Sequence, residues 1–271
     1  MSEKRYPKAR KRFGQNFLQD QSVIDDIVTA FDPQAGQHLI EIGPGRAALT
    51  IPLLQLGDQL DVVELDRDLV PLLEMRLAIY PHLTIHQADA LTFNFRSLQR
   101  QQEKMRIIGN LPYNITTPLL FHLLDQSDCI QDMFFMLQRE VVERICAQPG
   151  TKQYGRLSIM VQYRCQAELL FIVPPEAFDP IPKVESAIIY LHPLAERIGG
   201  NVDIQALGQV VTQAFSQRRK TIANTLKNLV GHEILLATGI DLEQRPETIS
   251  VAQYVEITRI WLESSKDEVF G

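Results

Sequence analysis

The sequence predicts an α/β fold, with a mostly parallel sheet followed by a small helical domain. Three observations predict this fold class. From residue 37 to residue 194, short apolar runs alternate with stretches of helical periodicity, which is typical of βαβ units. Glycines follow the first apolar run directly, as in a strand-to-helix turn beside a ligand. Beyond residue 200 the apolar residues recur only at helical spacing.

Length and composition limit the class of protein. The chain has 271 residues, of which 45% are apolar and 22% charged, as in soluble globular proteins. This composition excludes a collagen, a wholly disordered chain and a disulfide scaffold. No apolar run is long enough to cross a bilayer, and residues 13–20 are too polar for a secretory signal. The widely spaced Cys129, Cys146 and Cys165 are typical of reduced thiols in a cytoplasmic protein, with no zinc or redox motif, and no metal is expected.

The alternating part of the chain predicts seven strands and four helices between them. The strands are expected at residues 38–42, 60–65, 83–86, 105–109, 133–137, 169–173 and 187–191. The helices are expected at residues 47–56, 69–79, 118–124 and 140–147. No clear helix separates the last two strands, so they are expected to form an antiparallel pair at the sheet edge.

A linker at residues 193–201 is indicated by Pro193, Gly199 and Gly200. We therefore expect a first domain at residues 1–195, which begins with a basic arm, and a helical domain at residues 200–271. Apolar residues from Ile204 to Trp261 recur at helical spacing in the second of these.

Gly43, Gly45 and Glu64 predict a nucleoside ligand. The two glycines belong to the turn after the first strand, where the backbone must approach a ligand closely. Glu64 ends the second strand, 21 residues after Gly43, where a carboxylate can accept hydrogen bonds from both ribose hydroxyls. NAD and S-adenosylmethionine both carry that ribose, so these residues leave the two cofactors open. Asp89, after the third strand, is placed to accept from an adenine amino group.

Residues 110–113, Asn-Leu-Pro-Tyr, follow the fourth strand near the expected reversal of strand order. They match the needs of methylation at the exocyclic amine of adenine. The amine is a poor nucleophile, and the Asn110 side-chain oxygen and the Leu111 carbonyl can accept its two hydrogens. Pro112 keeps Leu111 extended and offers no competing amide proton. Tyr113 offers a face on which an extruded base can stack.

With these motifs, the sequence resembles the ribosomal RNA adenine dimethyltransferases over nearly its whole length. Further matches are FGQNFL at residues 13–18, FDPIPKVES at residues 178–186, and FSQRRK at residues 215–220 with Asn224 and Leu226. The last segment and the N-terminal extension resemble the small-subunit branch of the family. The resemblance implies a class I methyltransferase fold, which has a Rossmann-like, mostly parallel sheet with helices on both faces.

The resemblance also implies S-adenosylmethionine as methyl donor, without a metal, and two adjacent adenosines near the 3′ end of 16S rRNA as substrate. The implied cofactor contacts are Asn16, Leu18, Gly43, Glu64, Asp89 and Asn110. The implied base-handling residues are Asn110, Leu111, Tyr113 and Phe178, with Phe178 opposing Tyr113 across the adenine. From the residues alone, Phe178 would be interpreted as a core aromatic beside three prolines.

Two basic segments lie on an otherwise acidic chain whose net charge is −6. Residues 1–12 carry six basic side chains against Glu3 alone. Either segment by itself is typical of a solvated surface, but with an RNA substrate both become phosphate contacts. The expected RNA-binding residues are Lys8, Arg10, Lys11, Arg12, Arg218, Arg219 and Lys220.

The expected partner is the small ribosomal subunit or an assembly intermediate of it, bound by a monomer, with no membrane involved. Three alternatives stay open on the residues. A nicotinamide dehydrogenase would use Gly43, Gly45 and Glu64 but give residues 110–113 no role. A non-catalytic ribosome-assembly factor and a resistance-type large-subunit rRNA methyltransferase would share the fold.

Overall fold

The structure, a computed structural model, describes residues 15–57, 59–100, 103–217 and 219–270. The chain divides into two compact units, the first up to Val142 with Glu168–Pro193, the second Glu143–Ala167 with Leu194–Gly271. No helix among the described residues is both long enough and apolar enough to cross a membrane.

The first unit contains a seven-stranded sheet. Its strands and those of a separate two-stranded sheet are β1 (Phe17–Leu18), β2 (His38–Ile42), β3 (Gln59–Glu64), β4 (Leu83–Gln87), β5 (Met105–Asn110), β6 (Ile130–Gln138), β7 (Cys165–Val173), β8 (Phe178–Asp179) and β9 (Ser186–Pro193). The large sheet has the order β4-β3-β2-β5-β6-β9-β7, and β1 pairs with β8. The predicted α/β class with its helical C-terminal region is confirmed.

The sheet is parallel from β4 to β6, and β9 runs antiparallel to β6. β7 and β9 are neighbours at the edge, as predicted. The chain moves outward from β2 through β3 to β4 and then returns to the other side of β2 with β5. This reversal is the switch point at which open α/β sheets bind ligands, beyond the carboxyl ends of the strands.

The helices of the first unit begin with α1 (Gln21–Phe31), which was not among the predicted elements. Asp20 caps it, because its Oδ1 accepts hydrogen bonds from the amides of Ser22 and Val23. The others are α2 (Thr50–Leu56), α3 (Val70–Leu77), α4 (Thr116–Leu124) and α5 (Arg139–Cys146), the last of which continues into the second unit. The buried face of α1 packs in the hydrophobic core of the sheet.

The second unit is helical. Its helices after α5 are α6 (Arg156–Gln162), α7 (Ile204–Ala214), α8 (Ile222–Leu226), α9 (His232–Ala237) and α10 (Val251–Phe270). The sequence assigned residues 143–167 to the first domain, and the structure packs them with the later helices instead. The Tyr154 hydroxyl donates to the Ile249 carbonyl over 3.0 Å, and that contact joins residues 95 positions apart, which no linear pattern predicts.

Candidate functional site

A cleft opens at the carboxyl ends of β2, β3, β4 and β5, beside the switch point. It encloses about 980 Å³ of empty space, open solvent included. Seven of the predicted site residues line it: Asn16, Gly43, Glu64, Asp89, Asn110, Leu111 and Tyr113. The fold therefore brings together side chains that are up to 97 positions apart in the chain.

The glycine turn has the conformation that its residues suggested. Gly43 has φ of 71° and Gly45 of 56°, in the left-handed region that glycine adopts without strain. The Gly43 amide donates to the Val63 carbonyl over 2.9 Å, which ties the turn to β3. A Cβ on Gly45 would lie 3.1 Å from the Phe17 ring, so this position is tight as well as left-handed.

Glu64 joins the turn to the end of β3. Its Oε2 accepts from the Gly45 amide over 3.2 Å, and its Oε1 accepts from the Asp66 amide over 2.8 Å. The side chain is almost fully buried, and burial raises its pKa above the usual value. Each oxygen still has a lone pair for a further donor, as a ribose diol would require.

Asp89 lies in the loop after β4 and is half-buried. Its Oδ1 accepts from the Leu91 amide over 2.9 Å, which fixes the carboxylate in an Asx turn. Oδ2 accepts no hydrogen bond from the residues that the structure describes, and the side chain lines the cleft.

Asn110 ends β5 with its amide group held in one orientation. Its Nδ2 donates to the Asn16 carbonyl over 2.9 Å. A carbonyl only accepts, so the nitrogen must face it and the oxygen must point elsewhere. Oδ1 receives no hydrogen bond from any described residue. The amide therefore presents a free acceptor at the cleft.

Leu111 contributes a second acceptor next to the first. Its amide donates to the Met136 carbonyl over 3.2 Å, which holds the backbone against β6. Its own carbonyl accepts no hydrogen bond in the described part of the chain, and its side chain is buried. Two neighbouring acceptors without donors are matched to a ligand group that carries two hydrogens, such as a primary amine.

Tyr113 is half-buried at the cleft, and its hydroxyl shares a hydrogen bond of 2.8 Å with the Ser186 hydroxyl. Burial raises the pKa of the Tyr113 hydroxyl, so the phenol stays neutral at physiological pH. Ser186 begins β9 and is fully buried. The bond fixes one edge of the ring and leaves its face as a stacking surface.

Two predicted residues lie away from the cleft. Phe178 is 1% exposed and belongs to the hydrophobic core, where β8 pairs it with Leu18. Leu18 lines a smaller cavity beside the cleft, together with Gly43 and Asn110. The stacking role of Phe178 and the cofactor contact of Leu18 stay predictions.

The predicted RNA-binding residues fall in different parts of the chain. Lys8, Arg10, Lys11, Arg12 and Arg218 lie outside the described residues. Arg219 and Lys220 are exposed in the second unit, in the turn between α7 and α8. Their contact with RNA stays a prediction.

Sequence reasoning assigned no role to three further polar residues at the site. Gln15 and Asp66 line the cleft, and the Gln15 amide nitrogen donates to Asp66 Oδ2 over 3.2 Å. Glu41 lines the smaller cavity and is 2% exposed, and its Oε2 has no hydrogen-bond partner among the described residues. Burial raises the pKa of Glu41 to about 8, and the charge of nearby Glu64 adds to that shift. The position of Glu41 near the end of β2, just before the glycines, was the sequence feature that could have identified it.

Together, the site offers acidic groups, a glycine turn and two free acceptors, but no cluster of metal ligands occurs among the described residues. This arrangement can bind a nucleoside that carries positive charge and hold an amine beside it. The two acceptors after β5 have no evident use in hydride transfer.

Comparison with known proteins agrees with this arrangement. Residues 6–262 match the model of the family described as ribosomal RNA adenine dimethylase. A protein of Nitrosococcus oceani named ribosomal RNA small subunit methyltransferase A is 52% identical over 95% of this chain and 97% of its own length. A protein of Pseudomonas aeruginosa with the same name is 53% identical over 95% of this chain and 96% of its own length.

Among solved structures, a dimethyladenosine transferase from Plasmodium falciparum has the same fold. It superposes with a TM-score of 0.80 at 22% identity and covers 92% of this chain and 98% of its own. The family match spans the cleft and all the residues that line it. This chain therefore belongs to the ribosomal RNA adenine dimethylase family.

Proposed function

We propose that this protein dimethylates the exocyclic amines of two adjacent adenosines near the 3′ end of 16S rRNA, with S-adenosylmethionine as methyl donor. The observation that carries the proposal is the pair of free acceptors, Asn110 Oδ1 and the Leu111 carbonyl. The small-subunit substrate is supported by the two relatives at 52% and 53% identity, which are named ribosomal RNA small subunit methyltransferase A. A nicotinamide dehydrogenase leaves both acceptors unexplained.

The described residues suit that cofactor. Glu64 would accept from the ribose hydroxyls and Asp89 from the adenine amine, while the turn at Gly43 and Gly45 lets the backbone approach. Asp66, which is buried at the cleft, adds negative charge that favours a cationic ligand. When bound, S-adenosylmethionine supplies the electrophilic methyl group.

The chain's own residues would then orient the substrate. Asn110 Oδ1 and the Leu111 carbonyl accept the two amine hydrogens and direct the nitrogen lone pair, while the base stacks on Tyr113. No tuned general base is needed, because the nitrogen becomes strongly acidic once it is alkylated. We further propose that Phe178 stacks on the face of the adenine opposite Tyr113. The protein would act as a monomer in the cytoplasm, and its substrate would be the small ribosomal subunit or an assembly intermediate of that subunit.

Methyl transfer to purified subunits tests the function. Small ribosomal subunits that lack the modification are incubated with the protein and labelled S-adenosylmethionine, with large subunits as control, and nucleosides are analysed. We expect dimethyladenosine in small-subunit RNA alone. Label in large subunits would assign the protein to the resistance type. No label in either, with cofactor binding intact, would favour an assembly factor.

A further inference from the structure

The segment of residues 180–185, here called the rim segment, joins two parts of the cleft wall. At its start, Asp179 pairs with the cleft residue Phe17 in the two-stranded sheet. Asp179 Oδ2 also accepts from Arg46 Nη1 over 2.9 Å. At its end, Ser186 bonds the Tyr113 hydroxyl. Both ends of the rim segment are therefore tied to residues that line the cleft.

Prolines rather than hydrogen bonds shape the rim segment. Pro180 and Pro182 restrict the backbone and lack amide protons. Among the described residues, no backbone–backbone hydrogen bond outside the regular helices and strands involves residues 180–184. The Glu185 carbonyl accepts from the Arg139 amide over 3.0 Å. Residues 180–184 thus form a stiff strip whose backbone polar groups make no such bond to the described residues, while Glu185 anchors its end.

The side chains of the strip are exposed and mainly apolar. Ile181 is 64% exposed and Val184 is 45% exposed. Between them, exposed Lys183 has no acidic partner within ion-pair distance among the described residues. Single exposed apolar residues need no explanation, but two of them with a cation, on a stiff strip at the cleft border, suit a partner with apolar faces and negative charge.

We propose that Ile181 and Val184 pack against the nucleotides that flank the target adenosine, while Lys183 contacts a neighbouring phosphate. The proposal rests on the proposed function. An adenosine that enters the cleft leaves its neighbours without a stacking partner. Apolar side chains that insert at a base step compensate for the missing stacking. The rim segment is therefore a positioning element that favours the extruded state.

The first experiment measures rates with two matched double variants. Ile181→Ser/Val184→Ser changes the rim segment, and Met75→Ser/Ile79→Ser changes two side chains that are 58% and 77% exposed and do not line the cleft. At saturating small subunits, we expect the rim variant to lose about tenfold in methyl-transfer rate, with binding changed less. The control should retain the wild-type rate. The conservative variant Ile181→Leu/Val184→Ile, which keeps apolar side chains at both positions, should also retain it.

Thermal unfolding and cofactor binding are measured on the same variants and should match the wild type. Lys183→Gln should weaken subunit binding and lower its salt slope by about one, while Lys104→Gln, before β5 at the opposite end of the sheet, should not. An unchanged rate in the serine rim variant would overturn the proposal, as would an equal decrease in the control.

The second experiment needs no activity. A benzophenone side chain is placed at position 181, and the protein is photo-crosslinked to unmodified small subunits. We expect an RNA adduct at nucleotides next to the methylated adenosines. A crosslink to ribosomal protein alone would reject RNA as the partner. If the wild type methylates small subunits and the rim variants behave normally, only the rim proposal fails. If the wild type transfers no methyl group, the proposed function fails, and the rim proposal fails with it.

Discussion

At the residue scale, the orientation of the Asn110 amide determines what the cleft can hold. The Asn16 carbonyl takes the amide nitrogen and leaves the oxygen as an acceptor. Sequence reasoning predicted this acceptor from the place of Asn110 at the end of the fourth strand, near the expected reversal of strand order, and from Tyr113 nearby. The bond that orients it was not predictable, since it joins residues 94 positions apart.

Asn110→Ala should remove the acceptor without unfolding the protein. We expect single-turnover methyl transfer to fall by about a hundredfold or more, as when one oriented polar group of an active site is deleted. The thermal midpoint should change little. Asn94→Ala serves as control, because Asn94 is exposed and its side chain makes no capping bond. Turnover near the wild-type level in Asn110→Ala would contradict the assigned role.

The shifted ionisation of Glu41 should make the free energy of unfolding depend on pH, and Glu41→Gln should remove this contribution. The unfolded carboxyl loses its proton near pH 4.5, while the folded one keeps it until about pH 8. The unfolded state therefore binds fewer protons in this window, and stability falls as pH rises through it. Relative to Glu41→Gln, the wild type should lose up to about 1.4 kcal/mol of unfolding free energy per pH unit.

Urea unfolding of both proteins at intervals from about pH 3.5 to about pH 9.5 measures that difference on both sides of the window. Below the window the two proteins should differ by a constant amount, and above it the difference should level off. A difference that does not vary with pH would show that Glu41 ionises normally in the folded protein.

At the element scale, the parallel strands were the most predictable part of the fold. β2 was predicted at its observed bounds, and β3, β4 and β5 within one residue at each end. Their apolar runs are short and end at glycine or polar residues. Strands β6 and β7 were predicted too short, because polar residues interrupt their apolar runs. The interrupting residues are Gln131 and Asp132 in β6, and Gln166 and Glu168 in β7. Tertiary pairing extends such strands beyond the apolar run.

Other elements were missed for different reasons. α1 had readable signals, since Asp20 is a strong N-cap and Ile24, Ile27, Val28 and Phe31 have helical spacing. β1 and β8 have two residues each and form only through each other. No local pattern predicts a pair of strands whose partners are 160 positions apart.

Gly109 sets the distance between β5 and β2. A Cβ at this position would lie 2.5 Å from the Ile42 carbonyl oxygen and 3.1 Å from Leu111 Cδ2. Gly109→Ala should therefore lose about 1–3 kcal/mol of unfolding free energy, the usual cost of overpacking, and should displace residues 110–111 from their positions. The affinity for S-adenosylmethionine should fall as well, because residues 110–111 line the cleft.

Gly208→Ala is the matched control. Gly208 lies inside α7, and a Cβ there would have an ordinary contact of 3.7 Å with Met160. This change should be neutral or add up to about 1 kcal/mol, because alanine favours a helix over glycine. Chemical unfolding of both variants compares them, and equal effects would mean that β5 tolerates a side chain at position 109.

At the scale of the whole molecule, the two units have different chemical character. The first holds the cleft with its acidic lining, and the second carries the exposed Arg219 and Lys220. The linker prediction came from Pro193, Gly199 and Gly200. It could not reveal that residues 143–167 join the later helices, because their membership depends on contacts such as that of Tyr154 with Ile249.

Arg219→Gln/Lys220→Gln should weaken the binding of small subunits and lower its salt slope by about two, because each of the two cations would neutralise one phosphate. Cofactor affinity should stay unchanged. A binding titration at several salt concentrations measures the slope, with Lys104→Gln as control. The same slope in the double variant and the wild type would remove these residues from the interface.

The hydrogen bond from Asn110 to the Asn16 carbonyl has a practical consequence for protein engineering. The acceptor is a main-chain atom, so an alanine scan of residue 16 leaves it in place and reports only on the side chain. A truncation that removes the first eighteen residues would delete this acceptor together with the basic arm. The resulting drop in activity would resemble an RNA-binding defect although the amide had lost its anchor. Replacing the peptide bond after residue 16 with an ester, which weakens that carbonyl as an acceptor, separates the two effects.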